Sequence, residues 1–384
     1  MRPMPTRRAL LAGIGCSVAA SPLTTPVAFA ALPGDSRLVV VILRGAMDGL
    51  DALRPIGDPM LARLRPDLAT PDGLRLTGTQ AMHPALAPLA PLWDAGQLGF
   101  VQAVSTPYRD KRSHFDGQDI LEAGTAGEVP DLVRRDGWLN RWLATRSDAH
   151  ARTAFAVGRE EMLLLRGAAP HSAWAPDARL GLDGATRDLL LHVYHDDPLF
   201  RGAAATALEL AGDGLDAQGL RAEQALFAFA ADQLRADARI AALSLGGWDT
   251  HRNQRHHLAR ALDRLAGGIL RLRDDLGPAW DRTVVLAMTE FGRTVAQNGT
   301  GGTDHGTGGT MILAGGGLGG GRIWGDWPGL SETALLDRRD LMPTDDVRRY
   351  AAWALRGLFG TERAALERLV FPGLDMGRDP GLLA

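Results

Sequence analysis

Cysteine is almost missing from this chain: Cys16 is the only one, and it sits in an N-terminal stretch that reads as a removable targeting segment. Disulfides and thiol chemistry are therefore excluded from the mature protein. Charge of one sign is lacking as well. The formal net charge is −3, and the basic residues, almost all arginine, are scattered among acids. With no basic stripe there is no electrostatic footprint for nucleic acid. The N-terminal apolar run ends at Ala20 and is too short and too rich in Gly and Ser to anchor the chain in a bilayer. No internal repeat or domain linker is visible. The one low-complexity run, Gly315 to Gly321, follows a strand, but no helix opens after it and no Lys-Ser/Thr pair is present. It reads as a flexible turn, not a phosphate-cradling loop.

What is present begins with an address. Arg7 and Arg8 stand directly before the apolar run, preceded by Thr6 and followed by Leu10 and Leu11. That is the twin-arginine arrangement, with an ordinary Sec signal as the alternative. Ala28-Phe29-Ala30 supplies the small-x-small pattern for cleavage after Ala30. The expectation is a signal peptide over residues 1–30, passage through the twin-arginine translocase, and a mature protein in the periplasm or outside the cell. Residues 31–384 are enough for one large domain, with the irregular stretch 158–215 as a cap or insertion.

Leu38 to Leu43 is a continuous apolar, β-branched run, as expected of a strand buried on both faces. Further strands are expected at Leu98–Val104, Ala154–Val157, Thr283–Met288 and Thr310–Ala314. Helical spacing of apolar residues marks Ala85–Ala95, Gly219–Arg235 and Gln254–Leu276. Strands separated by helices predict an α/β three-layer sandwich with a mostly parallel central sheet.

In such sheets ligands gather at the carboxyl ends of the strands. The polar clusters fall there: Arg44, Asp48 and Asp51; Ser113-His114-Phe115-Asp116; Asp249-Thr250-His251; Glu290-Phe291-Gly292-Arg293; and Asp304-His305. Carboxylates and imidazoles together suit a divalent metal ion such as zinc, manganese or calcium. Asp48, Asp249, His251, Glu290, Asp304 and His305 are the candidate ligands, with only one of the adjacent Asp304 and His305 expected to bind. Asp249 has the alternative of capping the next helix, and His305 that of a turn residue. Ser113 is the candidate nucleophile, with a helix cap as its alternative, since Ser113-x-x-Asp116 fits a capping box. Arg44 and Arg293 would fork an anionic group, or else pair with neighbouring acids. His114 and Asp116 complete the substrate-facing set. His83, His256 and His257 read as structural, and His150, His171, His192 and His195 receive no role.

The motifs Leu43-Arg44-Gly45-Ala46-Met47-Asp48-Gly49-Leu50, Arg112-Ser113-His114-Phe115-Asp116 and Asp136-Gly137-Trp138-Leu139-Asn140-Arg141 resemble an exported bacterial family, the domain of unknown function DUF1501. Gly246-Gly247-Trp248-Asp249-Thr250-His251, Glu290-Phe291-Gly292-Arg293-Thr294 and Gly302-Thr303-Asp304-His305-Gly306 continue the resemblance in order along the mature chain. That family in turn resembles the alkaline-phosphatase and sulfatase superfamily. The resemblance implies an alkaline-phosphatase-like fold and one or two metals. It puts Asp48 at the first strand end, Ser113 at the nucleophile's helix, Asp249 with His251 as a metal pair, and His305 as the late histidine. It also implies a second exported protein as a partner. One departure stands out: where the superfamily often has Asp-His-Gly, this chain has Glu290-Phe291-Gly292, and Phe291 cannot ligate. Two functions are expected: a metal-dependent hydrolase of phosphate or sulfate esters acting on a small anionic substrate, or a non-catalytic exported binding protein on the same fold.

Overall fold

The computed structural model describes residues 35–70, 72–109, 112–126, 136–158, 162–174 and 222–384. The targeting segment, His192, His195 and most of the proposed insertion lie outside these residues. Among them, the large sheet holds β1 (Arg37–Leu43), β2 (Leu98–Ser105), β3 (Ala154–Val157), β4 (Ser172–Trp174), β5 (Ile240–Leu245), β6 (Thr283–Met288), β7 (Gly309–Ala314), β8 (Arg322–Trp324) and β9 (Asp345–Asp346). The order across it is β8-β2-β7-β6-β1-β5-β3-β4, with β9 also paired to β2. Every pairing is parallel except those of β7, which runs against both β2 and β6.

β1 explains the layering. All of its residues are buried, and alternate side chains enter different cores. Leu38, Val40 and Ile42 meet α1 (His114–Ala123), α2 (Trp138–Ala144) and α5 (Val347–Phe359) on one face. Val39, Val41 and Leu43 meet α3 (Ala222–Arg235) and α4 (Gln254–Leu276) on the other. Each buried Leu, Ile or Val here contributes about 1.5–3 kcal/mol, so a strand with no polar face is stable only between two helical layers. The fold is the mixed α/β, mostly parallel arrangement expected. α4 keeps its predicted bounds because Leu258, Leu262, Leu265, Ile269, Leu272 and Leu276 form one buried stripe. No helix among the described residues is long and apolar enough to cross a membrane.

One central element differs from expectation. β5 lies directly beside β1, yet its sequence, Ile-Ala-Ala-Leu-Ser-Leu, carries little β-branched signal. Its alanines are dictated by tight packing between layers, a tertiary demand that local pattern does not register. β5 supplies the loop holding Asp249 and His251, so its place next to β1 decides where the site forms.

A candidate metal centre at the carboxyl ends of the strands

β1, β5 and β6 end side by side, and their following loops converge. After β1 the chain turns through Gly45 (φ 119°) and Ala46 (φ 60°). A Cβ on Gly45 would stand 2.7 Å from the Asp249 amide nitrogen, so glycine there lets the β5 loop close over β1. His114 opens α1, behind its N-cap Ser113. His305 is carried toward β7 in a loop bridged to Arg293.

Three imidazoles meet at one carboxylate oxygen. Asp249 Oδ1 lies 3.0 Å from His251 Nε2, 3.3 Å from His305 Nε2 and 3.5 Å from His114 Nε2. The two nitrogens of His251 and His305 are themselves 3.0 Å apart. In each ring the other nitrogen faces a fixed oxygen: Nδ1 of His114 donates to Glu290 Oε1 at 2.8 Å, Nδ1 of His305 to the Arg112 carbonyl at 2.8 Å, and Nδ1 of His251 to Asp304 Oδ1 at 3.1 Å. These partners assign the protons to Nδ1. The Nε2 atoms of His251 and His305 therefore face each other, and all three Nε2 atoms face one carboxylate oxygen. His114 Nε2 is buried and makes no hydrogen bond. Such a set repels itself unless a shared proton or a cation sits within it. Donors held about 2.0–2.1 Å from one tetrahedral ion stand roughly 3.3 Å apart, close to the spacing of Asp249 Oδ1 from each imidazole nitrogen. Imidazoles backed by carboxylate or carbonyl acceptors are also the usual surroundings of a bound metal.

Local electrostatics keep the set in working form. Burial acts to raise Asp249, but the hydrogen bond and charge of Arg293 (2.7 Å), with His251 and His114, hold its carboxyl below the ordinary value. The hydrogen bond to Glu290 raises His114, whereas burial pushes His305 down. Phe291 is buried and stacks on His114 at 5.2 Å between ring centres, with His305 at 5.3 Å. Phe291 thus forms the floor beneath two imidazoles.

The remaining candidates take other positions. Glu290, expected as a ligand, is fully buried: Oε1 accepts from the Gly45 and Ala46 amides and His114, and Oε2 from Thr289. A buried carboxylate gathers N–H donors, so it orients His114 instead of facing the cluster. Asp304 likewise stands behind His251 and accepts from Asn298 at 3.1 Å, the hydrogen bond that chiefly lowers its pKa. Asp48 is 1% exposed, and both its oxygens are taken by Arg65, Gln254 and the amides of Leu50 and Asp51. Arg293 and Arg44 follow their ion-pair alternatives. Arg293 is buried against Asp249 and Thr303, and Arg44 binds Glu122 and Gln118. Asp249 does not cap α4, whose N-cap is Asn253. His114, placed with the substrate-facing residues from sequence, is the one that joins Asp249 and His305 within metal-sharing distance. Its spacing from them along the chain held no local signal.

Ser113 caps α1, its hydroxyl accepting from the Asp116 amide at 3.4 Å, while Tyr108 Oη accepts from the Ser113 amide and donates to Asp116 Oδ2. Ser113→Ala is expected to lower stability by about 1 kcal/mol, read from the urea midpoint, and to leave metal affinity unchanged. A loss of metal binding would place the hydroxyl in the centre instead of the cap.

Several solved structures align with the chain at low identity. The lipoteichoic acid synthase LtaP from Listeria monocytogenes aligns at 8% identity with a TM-score of 0.42, covering 97% of this chain and 82% of that one. The soluble domain of lipooligosaccharide phosphoethanolamine transferase A from Neisseria meningitidis aligns at 13% identity and 0.40, covering 88% and 93%. A protein in the alkaline phosphatase superfamily from Vibrio parahaemolyticus aligns at 10% identity and 0.37, covering 89% and 71%. Nothing about this chain's chemistry follows from likenesses at that level. A search of curated proteins found no match. The family comparison is sharper, and its matched segment carries Asp249, His251, Glu290, Arg293, Asp304 and His305, with His114 before it. Residues 193–346 match the model described as protein of unknown function (DUF1501).

Proposed function

We propose that the protein is an exported, metal-dependent hydrolase of phosphate or sulfate esters, with one divalent cation held by His114, His305 and Asp249 and with His251 beside them. The observation that carries this reading is the convergence of three Nε2 lone pairs on Asp249 Oδ1, each fixed from behind by its own acceptor. An imidazole-rich set suits zinc better than manganese or calcium, which favour oxygen donors. Bound there, the cation would supply positive charge to an ester oxygen as a Lewis acid. The chain's own residues do the rest. Glu290, Asp304 and the Arg112 carbonyl set the ring tautomers, Arg293 keeps Asp249 ionised and in place, and Phe291 closes the side away from solvent. Export rests on Arg7-Arg8 and the apolar run behind them.

The test is metal analysis and calorimetry on the purified mature chain, followed by turnover of aryl phosphate and sulfate esters with and without chelator. Zinc at 100 times its dissociation constant is expected to stabilise the fold by about 2.7 kcal/mol. His305→Ala should abolish most of that gain. Absence of both metal and turnover would end the proposal. The Ser113 hydroxyl committed to its cap favours a second reading, a binding protein without a serine nucleophile. Tight zinc with no turnover of either ester class would select it.

A further inference from the structure

The arginines that the sequence offered for an anionic substrate, Arg44 and Arg293, are spent on acids, yet an open groove beside the imidazoles is lined by two others. Its walls are Arg112, His251, Asp304, His305, Asp337 and Arg339. Asp340 lies beneath them, fully buried, and binds both guanidiniums: Oδ2 accepts from Arg112 Nε at 2.9 Å and Thr307 Oγ1 at 2.8 Å, and Oδ1 from Arg339 Nη1 at 2.9 Å. Arg112 Nη2 is 2.8 Å from Asp340 and 3.9 Å from the exposed Asp337. Among the described residues, Arg112 Nη1 and Arg339 Nη2 have no partner, and the two side chains are 27% and 43% exposed. One buried carboxylate thus holds two guanidiniums and leaves donors turned outward.

Backbone strain lies in the same element. Leu336 and Asp340 exchange backbone hydrogen bonds at 2.9 Å, and the turn between them places Asp337 (φ 50°) and Arg338 (φ 54°) in the left-handed region without glycine. Arg112 is left-handed too (φ 54°), and its carbonyl is the acceptor that orients His305. Strain of this kind persists where the surroundings fix it, commonly at binding sites. Here it aims one arginine from each of two loops at the groove that the imidazoles share.

We infer that Arg112 and Arg339, set by Asp340, form the receptor for a tetrahedral oxyanion, so that the site takes esters with a free terminal phosphoryl or sulfuryl group. A guanidinium pair presents several N–H donors to the three non-bridging oxygens of such a group, whereas a diester offers them only two. The inference rests on the proposed metal centre for its place in catalysis, but the arginine pair is built independently of any metal.

The experiment measures binding of inorganic phosphate and of sulfate to the full mature chain by calorimetry, with and without zinc, after zinc affinity itself has been measured. Arg339→Met is expected to weaken both anions at least 10-fold while zinc affinity stays within 2-fold of wild type. Arg339→Lys should recover part of the loss as a point charge. Arg112→Met should weaken the anions similarly, because the carbonyl that holds His305 is unchanged. Anion affinity unaltered in both methionine variants would overturn the inference and leave the metal centre standing. Failure of wild type to bind zinc, with the arginine effects intact, would overturn the metal centre instead.

Discussion

Arg65→Met is expected to destabilise the protein by about 3–5 kcal/mol, a large share of the stability of any single domain. Arg65 and Asp48 are each 1% exposed, with Nη1 at 2.8 and 3.0 Å from the two carboxylate oxygens. The guanidinium also donates to the Thr294 and Val295 carbonyls, both at 2.7 Å. Methionine fills similar volume but leaves a buried charge and two carbonyls without their donors. The cost therefore comes from what is stranded and not from the attraction lost.

A second substitution separates those contributions. Asp48→Asn on the Arg65→Met background removes the stranded charge while keeping an oxygen for the amides of Leu50 and Asp51. Part of the lost stability should return, measured as the urea midpoint at unchanged slope. If the single Arg65→Met costs under 1 kcal/mol, the buried pair is not what fastens the β6 loop to the turn after β1.

That network also marks the limit of what the sequence made legible. β1, β6 and α4 announce themselves because burial on two faces, or along one stripe, writes a period into neighbouring residues. β5 does not, because alanines chosen for close layers look like those of a helix. The short edge strands β4 and β8, three residues each, carry too few positions for any period. The site was legible as a set of polar strand ends, but not as a division of labour. Glu290 and His114 stand at comparable places in the chain. Only the inward direction of Glu290, onto the Gly45 and Ala46 amides, makes it the orienting partner and His114 the outward donor. Likewise Arg112 reads as one arginine among many until its carbonyl is found on His305 and its side chain on Asp340.

Gly292→Ala should be at least as damaging, and for a steric reason alone. Gly292 is absent from the left-handed residues, so alanine has no conformational objection there. Its Cβ, however, would stand 1.9 Å from the Gly308 carbonyl oxygen and 2.5 Å from its carbon. Both are backbone atoms, with the Gly308 amide bound to the Leu341 carbonyl and Gly309 opening β7. The Gly292 amide donates to Thr307 and its carbonyl accepts from Gly306, which sets the bridge between Arg293 and His305. Relief of the clash must part these two segments, and with them Asp249's cation from a proposed metal ligand. A cost above about 3 kcal/mol is expected, beyond ordinary overpacking, together with loss of bound metal. Gly299→Ala, in the same connection but with open space around the new carbon, should change stability by no more than about 1 kcal/mol. Equal melting temperatures for Gly292→Ala and Gly299→Ala would mean that close backbone contact does not hold His305 against Arg293, and the geometry of the centre would have to be carried by its side chains alone.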